Sequence, residues 1–210
     1  MLLGALTDPG PATRILDIGT GCGVLALMMA QKSKANIDAV EVDPASAKEA
    51  QENFQRSPWS ARLACFGISL QLFQMTIRQR YDLIICNPPF FQNSLKPSDY
   101  KKSLARHGLI LSMESLFQTV MTLLRKDGRF SFILPADQWP EARKLAERSF
   151  LYPEKLIRIY PYPGGRITRL IPELIPVLPL RIQESELTIL NEERKFSPEY
   201  LEATKDYHYF

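Results

Sequence analysis

The chain has 210 residues, 45% of them hydrophobic and 23% charged, and a net charge of only +3. That balance suits one globular domain spanning 1–210 with a substantial core, and it advertises no strongly basic face, so a nucleic-acid partner is allowed but not demanded. Cys22, Cys65 and Cys86 sit in apolar or glycine-rich runs and read as reduced thiols rather than a disulfide or zinc framework; no run reaches membrane-spanning length and no signal-peptide layout opens the chain, so a cytoplasmic protein without a resident metal is expected.

A short apolar stub, 1–6, ends at the turn-rich Thr7-Asp8-Pro9-Gly10-Pro11. Arg14–Ile18 reads as a buried strand, Gly19-Thr20-Gly21-Cys22-Gly23 as a glycine turn, and Val24–Lys32 as a helix. Such a turn lets backbone approach a ligand closely, and the helix behind it offers free N–H groups to an anion. Asp17, just before the turn, is placed to meet a ligand's ammonium. Met28 and Met29 read as core filler. The next strand, 37–42, carries Glu41 at its end, about twenty residues after the turn, where nucleotide-binding α/β folds place an acid on a ribose diol. The plainer alternative is a solvent-facing acid. Asp43 and Pro44 read as N-cap and first-turn residue of a helix reaching about Ser57.

Residues 61–66 suggest a third strand, and 67–76 a turn with a short helix. The fourth strand, Tyr81–Cys86, stops abruptly in Asn87-Pro88-Pro89-Phe90. Two prolines fix the backbone and remove two N–H donors, and the first keeps Asn87 out of the helical region. A stiff platform results, with a side-chain carbonyl at Asn87, a main-chain carbonyl at Pro88 and an aromatic face at Phe90. Those groups suit a planar ring bearing an exocyclic amino group. The alternative is a proline-stopped strand with an aromatic plug. Lys96, Lys101, Lys102, Arg106 and His107 follow in a polar, basic stretch that is either a solvated face or a substrate loop.

Beyond it, Ser112 looks like a cap for a helix with Met113, Leu116, Phe117 and Val120 facing inward. Lys126-Asp127-Gly128 reads as a turn, 129–134 as a strand, 138–149 as a helix and 156–160 as a strand. Alternating strands and helices point to a mostly parallel sheet covered on both faces. The five prolines of 161–179 read as an irregular loop around Gly164-Gly165-Arg166 between edge strands. A last strand at 187–190 and a short helix from Pro198 close the chain.

Asp17-x-Gly19-x-Gly21-x-Gly23 after one strand and Asn87-Pro88-Pro89-Phe90 after the fourth resemble a class I S-adenosylmethionine-dependent methyltransferase acting on planar amino nitrogens. Further segments sharpen the likeness: Leu2-Leu3-Gly4-Ala5, Ala39-Val40-Glu41-Val42-Asp43, Asn53-Phe54 with Ser57-Pro58-Trp59, and Phe91 with Asn93-Ser94-Leu95-Lys96. Leu104-Ala105-Arg106-His107 and Pro198-Glu199-Tyr200 with Thr204-Lys205-Asp206 extend it, and together they are similar to the bacterial valine tRNA adenine-37 N6-methyltransferases. The resemblance implies a Rossmann-like α/β fold with an antiparallel C-terminal edge, S-adenosyl-L-methionine as cofactor, a tRNA anticodon loop as partner and a monomer. It places cofactor on Asp17, Gly19, Gly21, Gly23 and Glu41. An acid is commonly found after the third strand for the cofactor's adenine; here Ser69, a backbone group, or apolar contact with Val42 and Ile68 stands in its place. Asn87, Pro88 and Phe90 are implied as catalytic. Pro89, Phe91, Lys96, Lys101, Lys102, Arg106 and His107 are implied as substrate contacts. In that family the Leu-Leu-Gly-Ala segment follows an N-terminal section, so the chain is expected to start short of it. The same platform also serves glutamine-amide and guanine-N2 methylation, and a non-catalytic cofactor- or RNA-binding remnant is the alternative from another class.

Overall fold

A computed structural model describes residues 1–88 and 112–207. Within it a nine-stranded sheet runs through the chain. In chain order the strands are β1 (Arg14–Ile18), β2 (Asn36–Val40), β3 (Leu63–Phe66), β4 (Tyr81–Cys86), β5 (Leu124–Phe132), β6 (Leu134–Pro135), β7 (Tyr152–Tyr160), β8 (Arg169–Ile175) and β9 (Gln183–Thr188). Their spatial order is β3-β2-β1-β4-β5-β8-β7-β9, with β6 pairing β8. The helices are α1 (Leu2–Leu6), α2 (Val24–Lys32), α3 (Pro44–Arg56), α4 (Leu70–Thr76), α5 (Met113–Leu123), α6 (Trp139–Arg148) and α7 (Pro198–Thr204).

Side chains alternate across a strand, so each central strand feeds two cores. Leu16, Ile18, Ile84, Phe130 and Phe132 face α4, α5 and α6, where Phe117 packs edge-on against both Phe130 and Phe132. Ile15, Leu83 and Ile85 face α1, α2, α3 and α7, through Leu3, Met29, Phe54 and Tyr200. The helices start where the chain supplies caps: Asp43 accepts from the Ser46 N–H at 2.8 Å, Ser112 from Ser115 at 3.1 Å, and Ser197 from Tyr200 at 3.1 Å. Lys32 ties α1 down by donating to the carbonyls of Gly4, Ala5 and Thr7 at 3.1, 2.9 and 2.5 Å.

Besides shifted ends, such as a strand at 152–160 rather than 156–160 and one ending at Val40 rather than 42, three elements differ from the sequence reading. Lys126-Asp127-Gly128 is not a turn outside the sheet. It is a bulge inside β5, whose pairing with β4 jumps from Tyr81↔Leu124 to Leu83↔Arg129. Gly128 is required there, because a Cβ would lie 2.8 Å from the Tyr81 carbonyl oxygen.

The second difference lies in 161–179, which is not loop throughout. β8 passes through Pro172 and sits between β5 and β7, antiparallel to both. It carries the antiparallel pairing inside the sheet, while β9 at the rim runs parallel to β7. β5 and β6 pair β8 in one register, at Ser131↔Glu173 and again at Leu134↔Leu170, and the gap between falls at Pro172, which has no N–H to give. Buried Glu173 on the same strand is met by Arg129 and Lys155, both at 3.0 Å. Third, the last strand is 183–188 rather than 187–190.

Candidate active site

The parallel strands end level with one another, and that brings the sequence-predicted residues together. Ile18 pairs Val40 on one side and Cys86 on the other, and Val40 pairs Phe66. Gly19, Glu41, Gly67 and Asn87 therefore step off adjacent strands at one edge of the sheet, the carboxyl edge where open α/β sheets bind ligands.

The turn after β1 is built by three glycines in different ways. Gly19, Gly21 and Gly23 all take left-handed backbone, at φ 68°, 58° and 90°. A Cβ on Gly19 or Gly21 would meet nothing within 4 Å, whereas one on Gly23 would lie 2.6 Å from the Phe54 ring. The first two keep the turn's outer side open, and the third lets α3 pack against the start of α2. Asn53, beside Phe54 on α3, donates from Nδ2 to the Cys22 carbonyl at 2.8 Å. Glu41 braces the turn from β2: Oε2 accepts from the Gly21 N–H and Oε1 from the Asp43 N–H, each at 2.9 Å. Every carboxylate oxygen has two lone pairs, so this bracing leaves Glu41 able to accept from a diol.

Asp17 is fully buried, and its Oδ2 accepts from the Thr20 hydroxyl at 2.6 Å. Its Oδ1 has no hydrogen-bond partner among the described residues. Burial pushes its carboxyl up to about 7; the Thr20 hydroxyl and the Ala26 N–H pull it down, and Glu41 adds a smaller upward push. An unpartnered carboxylate oxygen in a dry site is a natural seat for a cation. Burial likewise raises the Cys86 thiol well above its ordinary value, with the charge of Asp17 adding to it, so this thiol is inert.

Ile68 is half-buried beyond β3, and Val42 is half-buried after Glu41. The Ser69 oxygen caps α4 by accepting from the Leu72 N–H at 3.2 Å, which leaves its hydroxyl proton free to donate. Asn87 is exposed and Pro88 buried. Pro89, Phe90, Phe91, Lys96, Lys101, Lys102, Arg106 and His107 lie outside the described residues. Thr20, Asn53 and Phe54 were given no role by sequence reasoning. For Asn53 a signal existed, a polar side chain flanking the face on which Ala47, Ala50 and Phe54 are buried.

A glycine turn after β1, an acid just after β2 and Asn87-Pro88 after β4 meet at the carboxyl edge of an open α/β sheet, the layout of a ligand-binding fold. Residues 1–136 match the Methyltransferase small domain family. Over its full length the chain superimposes on a predicted O-methyltransferase from Agrobacterium tumefaciens with a TM-score of 0.75 at 18% identity, covering 100% of this chain and 96% of that one. A ribosomal protein L11 methylase from Lactobacillus delbrueckii subsp. bulgaricus superimposes at a TM-score of 0.58, with 17% identity over 82% of this chain and 74% of that one.

Sequence relatives narrow the class. A tRNA1(Val) (adenine(37)-N6)-methyltransferase of Trichodesmium erythraeum is 39% identical over 99% of this chain and 87% of its own length. One from Parabacteroides distasonis is 36% identical over 99% of this chain and 88% of its own. The chain belongs to the tRNA1(Val) (adenine(37)-N6)-methyltransferase family. No helix among the described residues is long and apolar enough to cross a membrane, and no cluster there could hold a metal ion.

Proposed function

We propose that this enzyme methylates N6 of adenine 37 in the anticodon loop of valine tRNA, in the cytoplasm, with S-adenosyl-L-methionine as donor. The observation that carries the reading is the seating of Asn87-Pro88 one strand away from the glycine turn, at the same level of the sheet. The chain's own residues fit the donor. Asp17 Oδ1 is a buried carboxyl oxygen with no hydrogen-bond partner among the described residues, and the outer side of Gly19 and Gly21 is open. Asp17 would face the ammonium, Gly19, Gly21 and Gly23 the backbone approach, Glu41 the ribose, and Val42, Ile68 and Ser69 the adenine. When bound, the donor supplies a methyl group already activated on a sulfonium.

The adenine amino group is a weak nucleophile because its lone pair is spread into the ring. The Asn87 side-chain oxygen and the Pro88 carbonyl accept its two N–H bonds, which favours a pyramidal nitrogen with its lone pair aimed away from the platform. Alignment then supplies much of the rate gain, and no strong base is needed because the product's extra proton can leave to water. A loop base is splayed out at less cost than one in a duplex.

Asn87→Ala tests the assignment. With labelled donor and tRNA lacking the modification, wild-type protein yields N6-methyladenosine at position 37. The variant yields none, while its donor affinity stays within about threefold, because the amide touches the substrate and not the donor. Equal loss of both activities would remove Asn87 from the catalytic role. Label appearing on a protein glutamine instead would replace the tRNA reading.

A further inference from the structure

The two turns that follow β7 and β9 are unused by the chemistry above. Because β8 is antiparallel to both β5 and β7, β7 runs parallel to β4 and leaves the sheet at the carboxyl edge; β9, parallel to β7, does the same. β7 stands three ladder spacings from β4, about 14 Å. β9 is one strand further out, and β7 runs on past the level at which β4 ends, so both turns project from the same edge of the sheet as Asn87-Pro88, to one side of it.

Each is tightly built. In the first, the Gly165 N–H donates to the Tyr162 carbonyl at 3.0 Å and Gly164 takes φ 71°. A Cβ on Gly165 would press on Tyr162 and Pro161 at 3.0 to 3.2 Å. Arg166 follows at once and is exposed. In the second, the Asn191 N–H donates to the Lys195 carbonyl at 2.7 Å, while the Lys195 N–H donates to Asn191 Oδ1 at 3.0 Å. Arg194 sits between them at φ 62°, a left-handed conformation uncommon outside glycine and worth an explanation. Its guanidinium lies over the Tyr162 ring, 4.6 Å from the centroid, and joins the two turns. The nearest acid in its own turn, Glu193, is occupied by Lys195 at 2.9 Å; Glu192 remains exposed beside it.

We propose that these two turns form a second tRNA contact surface, on which Arg166 and the Tyr162–Arg194 stack hold backbone phosphates of the bound tRNA away from the target base. The inference rests on the tRNA reading given above. A guanidinium held over an aromatic ring keeps N–H donors to offer and loses less freedom on binding an anion than a free side chain.

The test uses unmodified valine tRNA transcript and the whole protein. Filter binding is read across a salt series beside steady-state methylation, for Arg166→Ala, Arg194→Ala, Arg194→Lys and, at the opposite edge of the sheet, Lys34→Ala. Each alanine variant at the two turns raises the KM for tRNA roughly 3- to 10-fold, the scale of one exposed charge-assisted contact. Each also lowers the salt slope by about one. Their kcat at saturating tRNA and their donor affinity are unchanged. Arg194→Lys recovers most of the slope, and Lys34→Ala behaves as wild type. Wild-type methylation with unaltered slope in both alanine variants overturns the surface and leaves Arg194 a staple between loops. A wild-type protein that neither binds nor methylates the transcript overturns the tRNA reading itself, and this surface with it.

Discussion

Substituting the turn glycines one at a time separates what the turn does for the fold from what it does for a ligand. Gly23→Ala forces a side chain into left-handed backbone at φ 90° and sets a methyl carbon 2.6 Å from the Phe54 ring. Phe54 is only 3% exposed, so the ring must move within a packed core. The backbone strain costs about 1–2 kcal/mol and the overpacking about 1–3, less about 0.4–1 returned by the stiffer unfolded chain, for a net of about 2–4 kcal/mol. Gly21→Ala carries the backbone strain without the clash, since nothing lies within 4 Å of its new methyl. Its net cost is about 1 kcal/mol. That methyl nevertheless stands in the open side of the turn, where the donor is proposed to approach the backbone, so donor affinity should fall at least about tenfold, or ~1.4 kcal/mol. Urea unfolding followed by circular dichroism gives the first quantity, and calorimetric titration with S-adenosyl-L-methionine the second. Combining Gly23→Ala with Phe54→Leu removes the colliding ring edge and recovers part of the loss. The reasoning fails if Gly23→Ala is destabilised by no more than Gly21→Ala, or if Gly21→Ala binds the donor like wild type.

Much of the fold around the candidate site was legible because its elements obey local rules. The apolar runs of β1 and β4 end in chemistry that cannot continue a strand, glycines in one case and prolines in the other. Asp43-Pro44 marks the start of α3 by a cap and a first-turn proline, both of which the helix uses. β8 was hidden for a physical reason. Its strand signal is broken by Pro172 and by the charge of Glu173, both buried. Each is tolerated only through partners distant in sequence: a gap in the β5–β6 ladder for the proline, and Arg129 with Lys155 for the carboxylate. The β5 bulge is similar. Lys126-Asp127-Gly128 has true turn chemistry, and only the pairing of Leu124 with Tyr81 draws it into the sheet. The bracing of the glycine turn by Glu41 was equally unreadable, and for Asn53 only its place beside the buried face of α3 pointed to it, since both depend on where α3 and β2 lie relative to β1.

Two further outcomes follow from named contacts. Lys32→Met removes the ammonium that closes the end of α1 on three carbonyls. Amide exchange in residues 2–7 should then rise sharply while global stability falls by only about 1–2 kcal/mol, and protection of α1 equal to wild type would refute the anchor. Asp17 governs the pH response. Burial raises its carboxyl to about 7 in the folded protein against an ordinary 3.8, so between those values the folded state holds the extra proton. Stability from this group is therefore greatest in the acid part of that window and declines as pH rises toward 7, by an amount on the order of 4 kcal/mol for the whole window. Donor binding at the proposed site should run the other way. An ammonium seated against Oδ1 favours the charged carboxylate, so binding releases a proton below about pH 7 and affinity weakens as the pH falls. Titration calorimetry at pH 5.5 and 8, in two buffers of different ionisation enthalpy, reads both the affinity change and the proton release. Asp17→Asn keeps the volume and should remove both effects while weakening binding at pH 8. A wild-type affinity that is flat across this range would mean that Asp17 does not meet the ammonium.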